Sequence, residues 1–290
     1  VRWCGGKGKL AGWLLPLIPE GGRPYCEPYT GAAAVLFARA PAPVEVLNDL
    51  DERIITLFRV LQDRDKFAEL EHRLRYTPYA RAEFRRALEI LATPDEHDDV
   101  ARAWAFFVAQ NQGFSGTGQG ESNWGRTFRP ARGMADTVSD WHGRLSLLRF
   151  WHRRLMRVQI DCIDALECIR YWDNPDAVFY VDPPYVPDTR TSREVYTHEP
   201  DAAHHEELVE VLLSVQGAAV LSGYRSELYE PLEAAGWERR ERRTSAHAAG
   251  RVRSAPQLRG KGAATTAVPR TESVWRNPKA VELTQGGRLF

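Results

Sequence analysis

Residues 177–185 read Ala-Val-Phe-Tyr-Val-Asp-Pro-Pro-Tyr, an apolar run that ends in an acid and two prolines. Ala177 to Val181 predict a buried strand: all are apolar or aromatic, and Val178 and Val181 are β-branched. Pro183 and Pro184 cannot donate to a sheet ladder, so the strand stops there. A carboxylate, a rigid turn and an aromatic ring therefore stand together at the C-terminal end of a strand, which is where open α/β sheets bind ligands. Over two positions the turn presents carbonyl acceptors and no amide donors, and Asp182 adds a charged acceptor. Two neighbouring acceptors suit a donor with two hydrogens, such as an exocyclic NH2, and Tyr185 offers a face on which a base can stack. In isolation, a plain strand and proline turn explains the same residues about equally well. The surrounding chain has to decide.

Working outward, the pattern is α/β. Val158 to Asp161 predict a strand with Asp164 just beyond it, and a helix spans about 202–215. Its histidines, His204 and His205, are adjacent rather than four apart, which disfavours a metal pair and favours solvated surface. Strands follow at 218–224, near Trp237 and at 271–275, with a helix reaching Ala235. Towards the N-terminus, Arg23 to Gly31 leading into 32–37 predict strand, tight turn and helix, an arrangement that receives the anionic part of a ligand. The full G-x-G-x-x-G pattern is missing, so a dinucleotide site is disfavoured. Val44 to Asp49 predict a second strand ending in an acid about twenty residues on, where a carboxylate bonds ribose hydroxyls. Asp49 could equally cap the helix that follows, in which Ile54, Leu57, Phe58 and Leu61 share a face. The chain opens on Trp3 to Lys9, rich in glycine and lysine but without Walker A spacing, and then on an apolar helical stretch from Leu10 to Ile18.

Residues 66–157 break the alternation. Helices are predicted near 78–92, 97–112 and 139–157, with Val100, Trp104, Phe107 and Val108 as an apolar stripe. The connection from Gly113 to Arg126 is long, polar and glycine-rich, with Phe114 and Trp124 inside it; such loops are usually functional or disordered, and a plain surface loop is the alternative. The net charge of the 290 residues is zero, but residues 126–157 carry eight Arg against two Asp, and residues 239–261 seven Arg and one Lys against one Glu. Such segregation allows a polyanion to bind without a basic isoelectric point. No apolar run approaches roughly 18 residues, so no membrane span is predicted. Cys4, Cys26, Cys162 and Cys168 lack metal spacing, which predicts reduced thiols in a cytoplasmic protein and no bound metal. Val1 in place of Met is read as a trimmed start, and no secretory leader is predicted.

Six pieces now stand in order: Trp3-Cys4-Gly5-Gly6-Lys7, Glu27-Pro28-Tyr29-Thr30-Gly31-Ala32, Asn48-Asp49-Leu50-Asp51, Asp182-Pro183-Pro184-Tyr185, Leu221-Ser222-Gly223-Tyr224, and the run from Arg270 to Pro278. In these pieces, spread over nearly its whole length, the chain resembles the Dam-like DNA adenine methyltransferases of bacteria and phages. The resemblance implies a Rossmann-like, S-adenosylmethionine-dependent methyltransferase sheet made of residues 1–65 and 158–290, with a helical target-recognition domain inserted at 66–157. It implies that Trp3, Lys7, Glu27, Gly31, Asp49, Asp164 and Asp182 hold S-adenosylmethionine, with Lys7 near its carboxylate, Asp49 on its ribose and Asp164 on its adenine amine. It implies that a flipped-out adenine stacks on Tyr185 while Asp182 and the Pro183 carbonyl accept its amine hydrogens. Double-stranded DNA is the implied partner, contacted by Trp124, Arg126, Arg129, Arg149 and Arg153; a cognate restriction endonuclease is left open. The cofactor turn departs from the family, with Tyr29, Thr30 and a single Gly31 followed by alanines. Methylation of cytosine or RNA by the same fold, and an inactive DNA-binding relative, are the alternatives.

Overall fold

The computed structural model describes residues 7–113, 123–184, 202–245 and 269–286. Trp3, Tyr185, the polar 189–200 stretch, most of the 113–126 connection and residues 246–261 of the second basic run lie outside them.

Seven strands form one sheet: β1 (Tyr25–Glu27), β2 (Glu45–Asn48), β5 (Gln159–Asp161), β6 (Val178–Val181), β7 (Ala218–Gly223), β8 (Glu238–Ser245) and β9 (Pro269–Arg276). Two short strands, β3 (Pro130–Ala131) and β4 (Met134–Ala135), pair as a separate hairpin. The order across the sheet is β5-β2-β1-β6-β7-β9-β8. The first five strands are parallel, and β9 runs antiparallel between β7 and β8. From β1 the chain moves outward to β2 on one side, whereas from β6 it moves to β7 on the other. The topological switch point therefore lies between β1 and β6, and the crevice beyond their C-terminal ends is the binding position of such a sheet.

The central strands β1, β2, β6 and β7 are buried on both faces, as the run at 177–181 predicts for β6, whereas the edge strands β5 and β8 are partly exposed. In β6, Val178 and Tyr180 join one apolar core while Phe179 and Val181 join the other, the period-two alternation of a pleated strand. One core is completed by α9 (Ala165–Trp172) and α10 (Ala202–Ser214). The other takes in α3 (Glu52–Gln62), whose Ile54, Leu57, Phe58 and Leu61 are buried as their spacing predicts. That second core continues without a break into the helical segment: α4 (Arg64–Arg75), α5 (Arg81–Ala92), α6 (Asp99–Gln112), α7 (Asp136–Leu145) and α8 (Leu148–Leu155). The stripe Val100, Trp104, Phe107 and Val108 is buried. Three short helices, α1 (Ala11–Leu14), α2 (Ala34–Ala38) and α11 (Glu230–Ala234), and a terminal α12 (Pro278–Gly286) complete the described elements.

The structure corrects several expectations. The helix predicted over 139–157 is two helices, α7 and α8, parted at Ser146 and Leu147. α4 and α12 are additional; α4 buries Phe67, Leu70 and Leu74 at helical spacing within a mostly charged sequence, and α12 buries Ala280. The cap of α3 is Asp51, whose side chain accepts from the Arg53 amide at 3.0 Å, and not Asp49. His205 is fully buried, its ring 3.0 Å from the Tyr229 hydroxyl, and His204 meets the Tyr29 hydroxyl at 2.7 Å. The pair packs α10 onto the sheet end rather than facing solvent.

Candidate active site

β6 delivers Asp182 to the C-terminal edge of the sheet, where Pro183 ends the ladder. Lys7, in a single 3-10 turn at Lys7–Lys9, reaches the same point and is buried. Its Nζ lies 2.8 Å from Asp182 Oδ1 and 3.0 Å from Glu272 Oε1. Glu272 comes from β9; because that strand is antiparallel, its N-terminal half sits at the end where β6 and β7 finish. Ser222 of β7 donates its hydroxyl to Glu272 Oε1 at 2.9 Å. Three chain segments thus meet in one ionic cluster with a formal charge of −1. Asp182 keeps 20% of its side-chain surface exposed while Lys7 and Glu272 each keep 4%, so Asp182 is the member that a substrate can touch.

Burial sets the protonation of the cluster. It pushes the Asp182 carboxyl up to about 6, against the pull of the Lys7 ammonium. Burial also works against the charge on Lys7, but Asp182 and Glu272 outweigh it and hold Lys7 above the ordinary lysine range. Glu27, at the end of β1 on the other side of the switch point, is pushed up to about 7 by burial although the Tyr25 hydroxyl donates to it at 2.7 Å.

The turn after β1 is shaped by Asp49. Its Oδ2 accepts from the Gly31 amide at 2.8 Å and its Oδ1 from the Asp51 amide at 3.0 Å. Gly31 has φ +45°, and two residues on, Ala33 has φ +51°. The left-handed region is costly for alanine, and such strain gathers at ligand-binding turns. Beneath the turn, the fully buried Asn48 ties three strand ends together. Its Nδ2 donates to the Pro28 and Ile163 carbonyls at 2.9 and 3.0 Å, and its Oδ1 accepts from the Ile163 amide at 2.9 Å. Asp164 caps α9 through the Leu166 and Glu167 amides at 2.8 and 3.2 Å.

Lys7, Glu27, Gly31, Asp49, Asp164, Asp182 and Pro183 are thus distributed over the ends of β1, β2, β5 and β6 and the N-terminal turn. Glu272, Ser222 and Asn48 are the participants that reading the sequence missed. All three stand inside matching motifs, which was the available signal. Among the described residues, no three His, Cys, Asp or Glu side chains are grouped to hold a metal ion.

The arginines divide. Arg126, Arg129 and Arg153 are exposed. Arg149 is exposed too, but its Nε and Nη2 meet the Glu71 carboxylate at 2.8 and 3.3 Å. Trp124 is half-buried against Tyr79 at 5.6 Å, with the Arg81 guanidinium 5.2 Å from its ring centre. No described helix is long and apolar enough to cross a membrane.

Residues 3–231 match the model of the D12 class N6 adenine-specific DNA methyltransferases. The chain is also 25% identical, over 212 residues, to the type II methyltransferase M1.LlaDCHI of Lactococcus lactis subsp. cremoris; the match covers 69% of this chain and 70% of that protein.

Proposed function

The chain belongs to the D12 class of N6 adenine-specific DNA methyltransferases, and from that premise we propose that methyl transfer runs at Asp182, in the cluster it forms with Lys7 and Glu272. The observation that carries this reading is the partly exposed Asp182 carboxylate at the switch point, followed at once by the donor-free Pro183-Pro184 turn.

The cofactor of this class is S-adenosylmethionine, and the residues present fit it. The partly exposed Asp182 carboxylate, with Glu27 across the switch point, suits a cation, and the Gly31 turn held by Asp49 forms the adjoining wall. When bound, S-adenosylmethionine supplies an electrophilic methyl group on a sulfonium centre. Trp3, Lys7, Glu27, Gly31, Asp49 and Asp164 form its surroundings in this reading. The target adenine is buried in a duplex and has to be flipped out. The Asp182 carboxylate and the Pro183 carbonyl then accept the two amine hydrogens, turning the nitrogen lone pair out of ring conjugation, while Tyr185 stacks on the base. Asp182 stabilises positive charge as it builds on the amine. Catalysis rests on positioning and electrostatics.

Asp182 works ionised, so its pH dependence has a definite sign. With its carboxyl near 6, the single-turnover rate is expected to hold above that pH and to fall towards a tenth per pH unit below it. Stopped assays on mixed-sequence DNA, with the product nucleosides resolved by mass spectrometry, test both the limb and the product. A rate flat from pH 8 to about pH 4.5 would remove Asp182 from the chemistry, and a modified base other than N6-methyladenine would remove the activity.

DNA binding is assigned to the helical 66–157 segment, through Trp124, Arg126, Arg129, Arg149 and Arg153, and the substrate is taken as duplex DNA. By analogy with the type II relative, methylation at a fixed site would protect DNA from a cognate endonuclease. Neutralising Arg126, Arg129 or Arg153 is expected to flatten the dependence of log K on log salt by about 0.9 each. Arg149→Ala is expected to change it by less than that, because Arg149 shares the Glu71 carboxylate with Arg75 and its charge is partly neutralised. Fluorescence anisotropy across a salt series measures the slopes. Equal slopes for all four variants would show that the pairing with Glu71 does not matter.

A further inference from the structure

We infer that Glu272 is a positioning residue for methyl transfer: from β9 it anchors Lys7, and through Lys7 it orients the Asp182 carboxylate. The inference rests on the reading of Asp182 as the acceptor of the amine hydrogens.

Lysine is a point charge on a flexible four-carbon stem with three rotatable donors, so a single carboxylate partner does not fix it. Here a second carboxylate, from a strand two places along the sheet, takes another of those donors at 3.0 Å. Glu272 is itself fixed, since its Oε1 also accepts from Ser222, whose side chain is fully buried. Its neighbours on β9, Ser273 to Arg276, are buried as well. Burying a carboxylate there is costly unless it is paired. The antiparallel direction of β9 is what brings position 272 to the reactive end of the sheet.

Electrostatics shows that this contribution is geometric. A like charge beside Asp182 makes ionising it harder, and Glu272 does act in that direction. Glu272 therefore does not serve to keep Asp182 charged; Lys7 does. The groups facing Asp182 are Lys7 from the N-terminal turn, Glu272 from β9, Glu27 from β1 and Tyr229 from the turn before α11. Glu272→Gln keeps both acceptor contacts and removes the like charge, whereas Glu272→Ala removes both.

The test uses the full chain and four variants, Glu272→Ala, Glu272→Gln, Ser222→Ala and Asp182→Asn. Single-turnover rates are measured from pH 4.5 to 9, S-adenosylmethionine affinity by calorimetry, and folding by circular dichroism. Glu272→Ala is expected to lose about tenfold or more in transfer rate while its S-adenosylmethionine Kd stays within about threefold of the parent. Glu272→Gln is expected to recover most of that loss, and its acidic limb to lie at lower pH than the parental one. Ser222→Ala is expected to fall between them. A folded Glu272→Ala protein with the parental rate, or one whose loss lies wholly in S-adenosylmethionine Kd, overturns the inference. If Glu272→Ala does not fold, Ser222→Ala decides: slower transfer at the parental S-adenosylmethionine Kd supports it, and a parental rate overturns it. Asp182→Asn separates the two levels of the argument. If that variant is inactive while both Glu272 variants match the parent, only the role of Glu272 fails; if it is fully active, the reading of Asp182 fails first.

Discussion

Asp182→Ala is expected to bind DNA as the parent does and to lose at least about a hundredfold to a thousandfold in kcat, the range seen when one preorganised group facing a developing charge is removed. The proposed partner of this carboxylate is an amine that arrives only after the base has left the duplex. Its contribution therefore belongs to the transition state and not to the encounter with phosphates. The effect on stability has the opposite character. The folded value near 6 lies above the ordinary 3.8, so the fold favours the protonated acid. Any stability this provides is present below the ordinary aspartate range and is gone once the pH has risen through about 6. At pH 8 the ionised side chain is a burden that Ala removes, while Lys7 retains Glu272 as a partner. The thermal midpoint at pH 8 should then hold or rise as the activity disappears. If Asp182 merely shaped the turn, the midpoint would fall and activity per folded molecule would survive. Measuring single-turnover rate beside thermal midpoint decides, and a folded Asp182→Ala protein with near-parental transfer would sink the mechanism.

Three of the parallel strands were readable because a short run of strand-forming residues is stopped by a local signal: Pro183 after β6, the Pro28 to Gly31 turn after β1, and Asp49 after β2. Such signals act over a few residues and need no knowledge of partners. Asp182 was found in the same way. Glu272 was not, because its meaning depends on β9 lying between β7 and β8 and running against them, a pairing between segments far apart in sequence. Asn48 was read only as part of a motif; nothing local shows that its amide will meet carbonyls from two other strand ends. His205 was misread because two adjacent histidines in a mixed helix look the same whether one of them turns inward or not. α4 has its buried Phe67, Leu70, Glu71 and Leu74 at helical spacing, but they stand among so many charged residues that the segment read as polar. Charge counting had the most limited reach. It found the basic segment at 126–157 but did not distinguish arginines that face solvent from those that face other residues.

Arg154 shows what that distinction is worth. It belongs to the same basic cluster in sequence, yet only 7% of its side chain is exposed, and its guanidinium pairs with the fully buried carboxylate of Glu45 on β2. Nη2 meets Glu45 Oε1 at 2.5 Å, Nη1 meets Oε2, and Oε1 also accepts from the Ala42 amide at 2.9 Å. The pair joins α8 to the second strand of the sheet, with a further bond from Nη2 to the Leu36 carbonyl at 3.3 Å. Arg154→Leu leaves the Glu45 carboxylate buried without its cation, and breaking such a pair costs about 3–5 kcal/mol. That is a large part of the total stability of an ordinary domain. Removing both charges is a different matter, because an apolar pair of similar volume is often as stable as a buried ion pair. Arg154→Leu with Glu45→Met is therefore expected to regain most of what Arg154→Leu alone loses, and urea unfolding midpoints measure the cycle. If Arg154 were instead a phosphate contact, Arg154→Leu would leave the midpoint near parental and flatten the salt dependence of DNA binding by about one charge. The geometry forecasts the reverse for folded protein: a midpoint well below the parental one, and a salt slope unchanged.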